Sequence, residues 1–151
     1  MKKFVFTLEP VYKYKQTVER MQKAELKKAQ QTLQELLDEE QRLLKSYADN
    51  ERSLEEALRK GENAAIALSE HDAYFRYLRD MLAEVRIMIE EAEEVVRRCQ
   101  ERLIITMKEI KTYVKLRNEQ FQQYLKDVQA EEAKEMDDLV SFNVISNNVN
   151  A

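Results

Sequence analysis

Residues 71–124 read HDAYFRYLRDMLAEVRIMIEEAEEVVRRCQERLIITMKEIKTYVKLRNEQFQQY and keep one heptad frame throughout. The frame consists of two columns of residues spaced by seven, and most of their members are apolar or aromatic. Apolar residues at alternating steps of three and four form one side of an α-helix, which is the pattern of a coiled-coil seam. The first column is Phe75, Leu82, Ile89, Val96, Leu103, Ile110, Arg117 and Tyr124, and the second is His71, Leu78, Val85, Ala92, Cys99, Thr106, Tyr113 and Gln120.

A second heptad run precedes this one and predicts a partner helix for it. Its members are Leu26, Ala29, Leu33, Leu36, Glu40, Leu43, Tyr47, Asn50, Leu54 and Ala57. Upstream of it, a further apolar set in helical phase comprises Val11, Tyr14, Val18 and Met21. The five-residue step from Met21 to Leu26 predicts a local change of winding. On the later helix, Met81, Met88 and Val95 widen the apolar stripe, which leaves room for a third helix or a partner surface.

Breaks in the pattern place the ends of the two helices. Pro10 is tolerated only in a first helical turn, and Gly61, after Arg59 and Lys60, suits a left-handed cap. Ser69, with Asp72 three residues later, predicts the start of the second helix. The predicted segments are an apolar lead-in (1–9), a first coiled-coil helix (10–60), a connector that is irregular or one helical turn (61–68), a second coiled-coil helix (69–140) and a flexible tail (141–151).

Composition supports an all-α fold, a long two-helix antiparallel coiled-coil hairpin. Ala, Glu, Lys, Leu and Arg supply 76 of the 151 residues, and 36% of residues are charged, as long solvated helices require. The chain contains one Gly and one Pro, so little in it breaks a helix. Folding back near Gly61 predicts that Leu43 lies near Val85.

Charge is distributed unevenly along the chain. Residues 1–30 carry eight Lys/Arg against three Asp/Glu, and residues 101–130 carry six against four. Residues 31–100 carry ten against seventeen, and residues 131–151 carry one against five. A hairpin brings the two basic segments together at one end and leaves the other end acidic, which orients the molecule toward charged partners.

The sequence offers no chemistry of its own, so we expect no enzyme activity, no cofactor and no metal. A two-helix hairpin lacks a concave site, one Gly cannot build a phosphate loop, and Cys99 lies on the seam as a structural thiol. His71 has no second ligand at metal spacing. The interleaved charges and acidic balance argue against nucleic-acid binding. No apolar run of about 18 residues exists, so we expect no membrane insertion and a cytoplasmic protein.

Exposed aromatic and basic residues are the candidates for partner binding. Tyr74 and Tyr77 flank the seam residues Phe75 and Leu78, so they either pack against Leu54 and Leu58 or form a docking patch. At the basic end, apolar anchors and lysines either bind a partner or, for Phe4 and Phe6, cover the second helix near Phe121 and Leu125. The full set of candidates is Phe4, Phe6, Leu8, Lys13, Lys15, Tyr47, Tyr74, Tyr77, Lys111 and Lys115.

Three stretches resemble the FliJ family of the flagellar type III export apparatus. Phe4-x-Phe6-x-Leu8 leading into Val11 resembles the start of the family pattern, and Tyr74 to Leu78 resembles the aromatic start of its second helix. Glu132 to Leu139 resembles its Glu-x-Lys-x-x-Asp-Glu/Asp ending. The resemblance covers nearly the whole chain apart from the Asn-rich C-terminus.

The resemblance implies a function that composition alone does not. It implies a non-enzymatic stalk that couples the export ATPase ring to the membrane protein of the export gate and assists export chaperones. It also implies a position at the flagellar base, peripheral to the inner face of the cell membrane. The alternative is a generic cytoplasmic coiled-coil scaffold or dimerisation protein, which explains the heptads but not the terminal motifs.

Overall fold

The computed structural model describes residues 2–150, and this part of the chain is built from two long α-helices without a strand. Helix α1 spans Glu9–Arg59 and helix α2 spans Ala64–Val149. Both helices pass through two compact units. We call residues 2–19 with 105–150 the terminal unit, and residues 20–104 the loop unit. The predicted all-α class is confirmed.

Helix α1 begins where Pro10 allows it. The Leu8 carbonyl accepts the first helical hydrogen bond, from the Tyr12 amide at 2.9 Å. Pro10 then lies in the first turn, where its missing N–H leaves no helical bond unmade. Glu9 adds a carboxylate to the same turn, which favours the positive end of the helix dipole. The prediction that Pro10 lies in the first turn of the first helix is confirmed.

Helix α1 ends in a Schellman motif centred on Gly61. Gly61 has a φ of 82°, and its amide donates to the Leu58 carbonyl at 3.2 Å. The Glu62 amide donates to the Ala57 carbonyl, also at 3.2 Å. This pair of bonds is the signature of the motif, and Gly adopts the left-handed conformation without steric cost. The glycine cap predicted from the sequence is therefore confirmed.

Helix α2 begins five residues earlier than the sequence indicated. The side-chain oxygen of Asn63 accepts a hydrogen bond from the Ala65 amide at 2.9 Å, and the Asn63 carbonyl accepts one from Ala67. Asn63 is therefore the N-cap, a role for which Asn is among the best residues. The predicted start at Ser69 is wrong, because Asn63 caps the helix upstream and Ala64–Leu68 join it. The helix also continues past residue 140, to Val149.

The two helices run antiparallel within each unit. In the loop unit, the Asn50 side chain donates to the His71 carbonyl at 3.2 Å, and Arg86 pairs with Glu40. In the terminal unit, Arg117 lies 3.6 Å from Glu9, and the Tyr124 hydroxyl donates to the Lys2 carbonyl at 2.8 Å. In both units, rising numbers on one helix meet falling numbers on the other, as an antiparallel hairpin requires.

The core of the loop unit consists of the predicted seam residues. Leu43, Leu78, Leu82, Val85 and Ile89 form one buried cluster, so the predicted proximity of Leu43 to Val85 is confirmed. Leu33, Leu36, Leu37, Tyr47 and Met81 pack around this cluster. Further along α2, Ala92, Cys99 and Leu103 are also buried.

Three of the four residues in the apolar set upstream of Leu26 do not face α2, which corrects the sequence prediction, and only Val18 of the set is half-buried. Val11 and Met21 are exposed, and Tyr14 has 65% of its surface in solvent. The half-buried residues of this part of α1 are instead mostly polar, namely Tyr12, Lys15, Gln16, Val18, Glu19 and Gln22. Of these, Tyr12, Lys15, Glu19 and Gln22 lead to Leu26 by steps of three and four without interruption. The predicted change of winding is therefore absent. The side of α1 that faces α2 is therefore set here by continuity with the heptads that follow Leu26, and the local hydrophobic pattern does not set it.

Candidate interaction surfaces

Tyr74 and Tyr77 form an exposed aromatic pair on α2 in the loop unit. They are 43% and 55% exposed, and their rings stack with centroids 6.2 Å apart. The seam turns Phe75 and Leu78 toward α1, and the helical period leaves Tyr74 and Tyr77, each one residue earlier, on the outside. The rings therefore stack on each other and remain largely open to solvent. The prediction that both tyrosines lie outside the seam is confirmed.

Tyr47 lies on α1, packs against α2 near this pair and is not part of the exposed patch. Its ring packs against Phe75 with centroids 4.8 Å apart, and it borders the Leu43 cluster. Tyr47 is half-buried. Its observed contacts make it a packing residue that sets the position of the segment carrying Tyr74 and Tyr77.

An ion pair on α1 of the loop unit joins Arg42 to Glu39. The Arg42 guanidinium binds the Glu39 carboxylate through two hydrogen bonds, at 2.9 and 2.5 Å. These bonds lower the pKa of Glu39 and raise the pKa of Arg42, and the nearby Tyr77 and Tyr74 raise the latter slightly further. The Glu39 carboxylate therefore holds the Arg42 guanidinium, and the tyrosine patch itself consists of two exposed rings, aromatic surface of the kind enriched in protein interfaces.

In the terminal unit, the lead-in residues pack against α2. Phe4 lies edge-on to Phe121, with ring centroids 5.2 Å apart, and 5.5 Å from the ring of Tyr124. Phe6 is 5% exposed, and the Tyr124 hydroxyl fixes the backbone at Lys2. Of the two alternatives for these phenylalanines, this geometry corresponds to internal packing. The lead-in binds α2 as a strap, which we define as residues 2–8.

The predicted lysines do not all have the same environment. Lys13 is exposed, whereas Lys15 is half-buried and forms an ion pair with Glu109. The hydrogen bond from Lys15 to the Glu109 carboxylate raises the pKa of Lys15. Lys15 is therefore part of the helix contact. Its partner Glu109 was not identified from the sequence, because no local pattern links residues 94 positions apart.

Lys111 and Lys115 lie together on α2, in the terminal unit. They line an open groove on α2 together with Ile110 and Val114, and Lys126 adds a third ammonium group. Glu119 lies 4.0 Å from Lys115, an exposed pair of little energetic weight. The groove therefore offers positive charge beside apolar surface, and of the predicted basic residues these two are the best placed for a partner.

The described residues contain neither a candidate metal-binding cluster nor a helix of membrane-spanning character. Among residues 2–150, no group of three or more His, Cys, Asp or Glu side chains could hold a metal ion. His71 instead contacts the Ala67 carbonyl through Nδ1 at 2.8 Å and the Ser53 hydroxyl through Nε2 at 3.2 Å. Within the same residues, neither helix has an apolar window of membrane-spanning length.

Comparison with known proteins identifies one family. The model of the family described as "Flagellar FliJ protein" matches residues 4–148, nearly the whole chain. Searches of curated proteins and of solved structures found no match. The matched range includes residues 4–8 of the strap, all of α1, α2 up to residue 148, and the tyrosine pair.

Proposed function

Because the chain belongs to the FliJ family, and so to the components of the flagellar export apparatus, we propose that it acts there as a non-enzymatic coupling stalk. In this role it binds the export ATPase ring and the membrane protein of the export gate, and it assists export chaperones. The observation that carries the proposal is the family match over residues 4–148. Such a protein acts beside the membrane at the flagellar base without inserting into it.

The lysine groove of the terminal unit is the surface that we assign to the ATPase. Lys111 and Lys115 provide exposed positive charge beside Ile110 and Val114. Exposed charges of this kind mainly accelerate association with an acidic partner, and their effect falls as salt rises. Lys13, exposed on α1 of the same unit, can add to this steering.

The ATPase assignment is tested by replacing the groove lysines. In the Lys111→Gln/Lys115→Gln variant, we expect slower association with the purified export ATPase, weaker stimulation of ATP hydrolysis and a smaller salt dependence. Lys45→Gln/Lys60→Gln, which removes two exposed lysines of the loop unit, is the matched control and should behave as wild type. Equal losses in both variants would show that net charge matters and the groove does not.

Phe4 and Phe6 require a separate test, because they pack inside the terminal unit. The Phe4→Ser/Phe6→Ser variant is compared with wild type for helicity, melting and ATPase affinity. If the folded fraction binds the ATPase with wild-type affinity, the two rings act only in packing. A loss of affinity at unchanged helicity would assign them to the ATPase contact, which then requires the strap to leave α2.

The tyrosine patch is the surface that we assign to the export gate. Stacked, exposed Tyr74 and Tyr77 supply aromatic area at low entropic cost. Tyr74→Ser/Tyr77→Ser should weaken binding to the purified cytoplasmic part of the gate protein without changing ATPase stimulation. Ile87→Ser/Ile104→Ser removes comparably exposed apolar side chains of the loop unit and serves as the control. Undiminished gate binding by the tyrosine variant would exclude this assignment.

A dimerising scaffold is the second candidate function. Met88 and Val95 are each about half exposed at a spacing of seven, as an additional helix contact requires. If this edge dimerises, Met88→Ser/Val95→Ser will convert a dimer to a monomer in sedimentation experiments. A wild-type chain that is monomeric at all accessible concentrations would eliminate this function.

A further inference from the structure

Helix α1 of the terminal unit has two possible contact stripes, and the structure uses the more polar one. Toward α2 it presents Tyr12, Lys15 and Glu19, all half-buried. One residue earlier in each case lie Val11, Tyr14 and Val18, of which the first two are exposed. We call the first set the polar stripe and the second the apolar stripe. The neighbours Pro10 and Thr17 keep the apolar stripe free of charge.

The surface that α2 offers to α1 suits the apolar stripe better than the polar one. Ile110, Tyr113 and Leu116 are half-buried on this part of α2. Contact with Lys15 and Glu19 adds little stability to apolar surface of this kind. The charged groups of these two residues keep their water only where they lie at the edge of the contact. The polar stripe therefore depends on ion pairs, Lys15 with Glu109 and Glu9 with Arg117.

One of these ion pairs is poorly satisfied. The Oε2 atom of Glu9 is buried without a hydrogen bond, and Nε of Arg117 lies 3.6 Å away, beyond hydrogen-bonding distance. A buried carboxylate oxygen without a hydrogen bond weakens the state that contains it. If the polar stripe left α2, water would hydrate Glu9 and Arg117. The apolar stripe would then be buried against α2 in its place.

We propose that the N-terminal part of α1 is bistable, and that it can rotate to bring Val11, Tyr14 and Val18 against α2 in place of Tyr12, Lys15 and Glu19. The two stripes differ by one residue, which corresponds to a rotation of about 100°. Coiled coils absorb such a phase change by local rewinding, and the five-residue step from Met21 to Leu26 provides the place for it. Rotation moves Lys15 and Glu19 toward water and separates Lys15 from Glu109 and Glu9 from Arg117. Because the side chains of Glu109 and Arg117 are 40% and 48% exposed, solvent can hydrate them in place of these partners.

Disulfide trapping in a Cys99→Ala background tests the rotation. One variant combines Tyr14→Cys with Ile110→Cys, and its mirror control combines Gln16→Cys with Ile110→Cys. Tyr14 and Gln16 flank Lys15 by one residue on opposite sides, and Gln16 is the more buried in the structure. Simple breathing of the helix therefore favours the Gln16 pair, whereas rotation onto the apolar stripe favours the Tyr14 pair.

The rotation predicts that the Tyr14 pair links severalfold faster than the Gln16 pair under the same oxidant. It also predicts that adding Val11→Ser, a mostly exposed site, slows the Tyr14 link and leaves the Gln16 link unchanged. Lys15→Cys with Glu109→Cys should link readily and shows that the unit is folded in each background. Linkage of the Gln16 pair at an equal or higher rate would overturn the proposal, as would a Tyr14 rate insensitive to Val11→Ser.

Discussion

The loop unit and the terminal unit use the same hairpin geometry but different chemistry in their contacts. Of the ten buried apolar side chains in residues 2–150, nine belong to the loop unit, and the tenth is Phe6 of the strap. In the terminal unit, ion pairs and half-buried tyrosines join α1 to α2, and the Phe4 contact joins the strap to α2. Its one buried polar residue is Thr106.

A continuous heptad frame therefore does not imply uniform stability along the hairpin. Burial of apolar surface supplies most of the stability of amphipathic helices, whereas exposed ion pairs supply little. The loop unit should therefore open only at a free energy near that of global unfolding. The terminal unit should open locally at a lower free energy than the loop unit.

The largest effect is expected in the core of the loop unit. Leu78 is 1% exposed, and Leu78→Ala should lower the free energy of unfolding by about 2 to 5 kcal/mol, the usual cost of such a cavity. Urea denaturation followed by circular dichroism measures this loss. Ile87→Ala, at a mostly exposed site of the same helix, is the control and should change stability by less than about 0.5 kcal/mol. Similar losses in both variants would refute the assigned core.

The next effect concerns the strap. Phe6→Ala should remove about 1.5 to 3 kcal/mol of local burial energy, because Phe6 is almost fully covered. The loss should release residues 2–8 and leave the loop unit intact, so the amides of Glu9 and Tyr12 should exchange faster while those of Leu82 and Val85 do not. Val5→Ala, at an exposed site of the strap, should change neither. Faster exchange throughout the chain would contradict a local role.

A smaller loss is expected for Cys99→Ser in the loop unit. Cys99 is buried beside Val95 and Arg102, and a hydroxyl placed there without a partner should cost about 1 to 3 kcal/mol. Melting temperature and motility are measured together, with Cys99→Ala as the control that removes the sulfur without introducing a hydroxyl. Lost motility at unchanged melting temperature and protein level would indicate a functional thiol.

The smallest effect is expected for the ion pair of the terminal unit. Lys15→Met should reduce the salt dependence of terminal-unit opening, whereas Lys13→Met, at an exposed site without that pair, should not. The raised pKa of Lys15 gives the sign of the pH effect. The stabilisation is complete below the ordinary lysine pKa of 10.5 and is lost as pH rises through the raised value. A wild-type terminal unit insensitive to both salt and high pH would exclude this contribution.

Regular patterns made most of the fold predictable. Leu78, Leu82 and Val85 repeat at steps of three and four, and the Gly61 cap follows from local chemistry. The start of α2 was mislocated because Asn63 and Ser69 are both acceptable caps, and sequence alone does not rank them. The phase of α1 near Tyr14 was misjudged because hydrophobicity favoured one stripe while helix continuity imposed another.

The candidate surfaces were predictable only in part. Helical spacing correctly placed Tyr74 and Tyr77 outside the seam. It could not show that Lys15 pairs with Glu109, or that the Tyr124 hydroxyl holds the backbone of Lys2. Contacts between residues far apart in the chain depend on the register of the two helices, which the sequence pattern leaves free by half a turn or more.

Native-state hydrogen exchange along a denaturant series tests the difference between the two units most directly. The terminal amides, in residues 10–19 and 106–120, should exchange through openings of low free energy that depend little on denaturant. The loop-unit amides, in residues 36–47 and 78–92, should exchange only through an opening as costly and denaturant-sensitive as global unfolding. Equal protection and equal denaturant dependence in both sets would contradict the account.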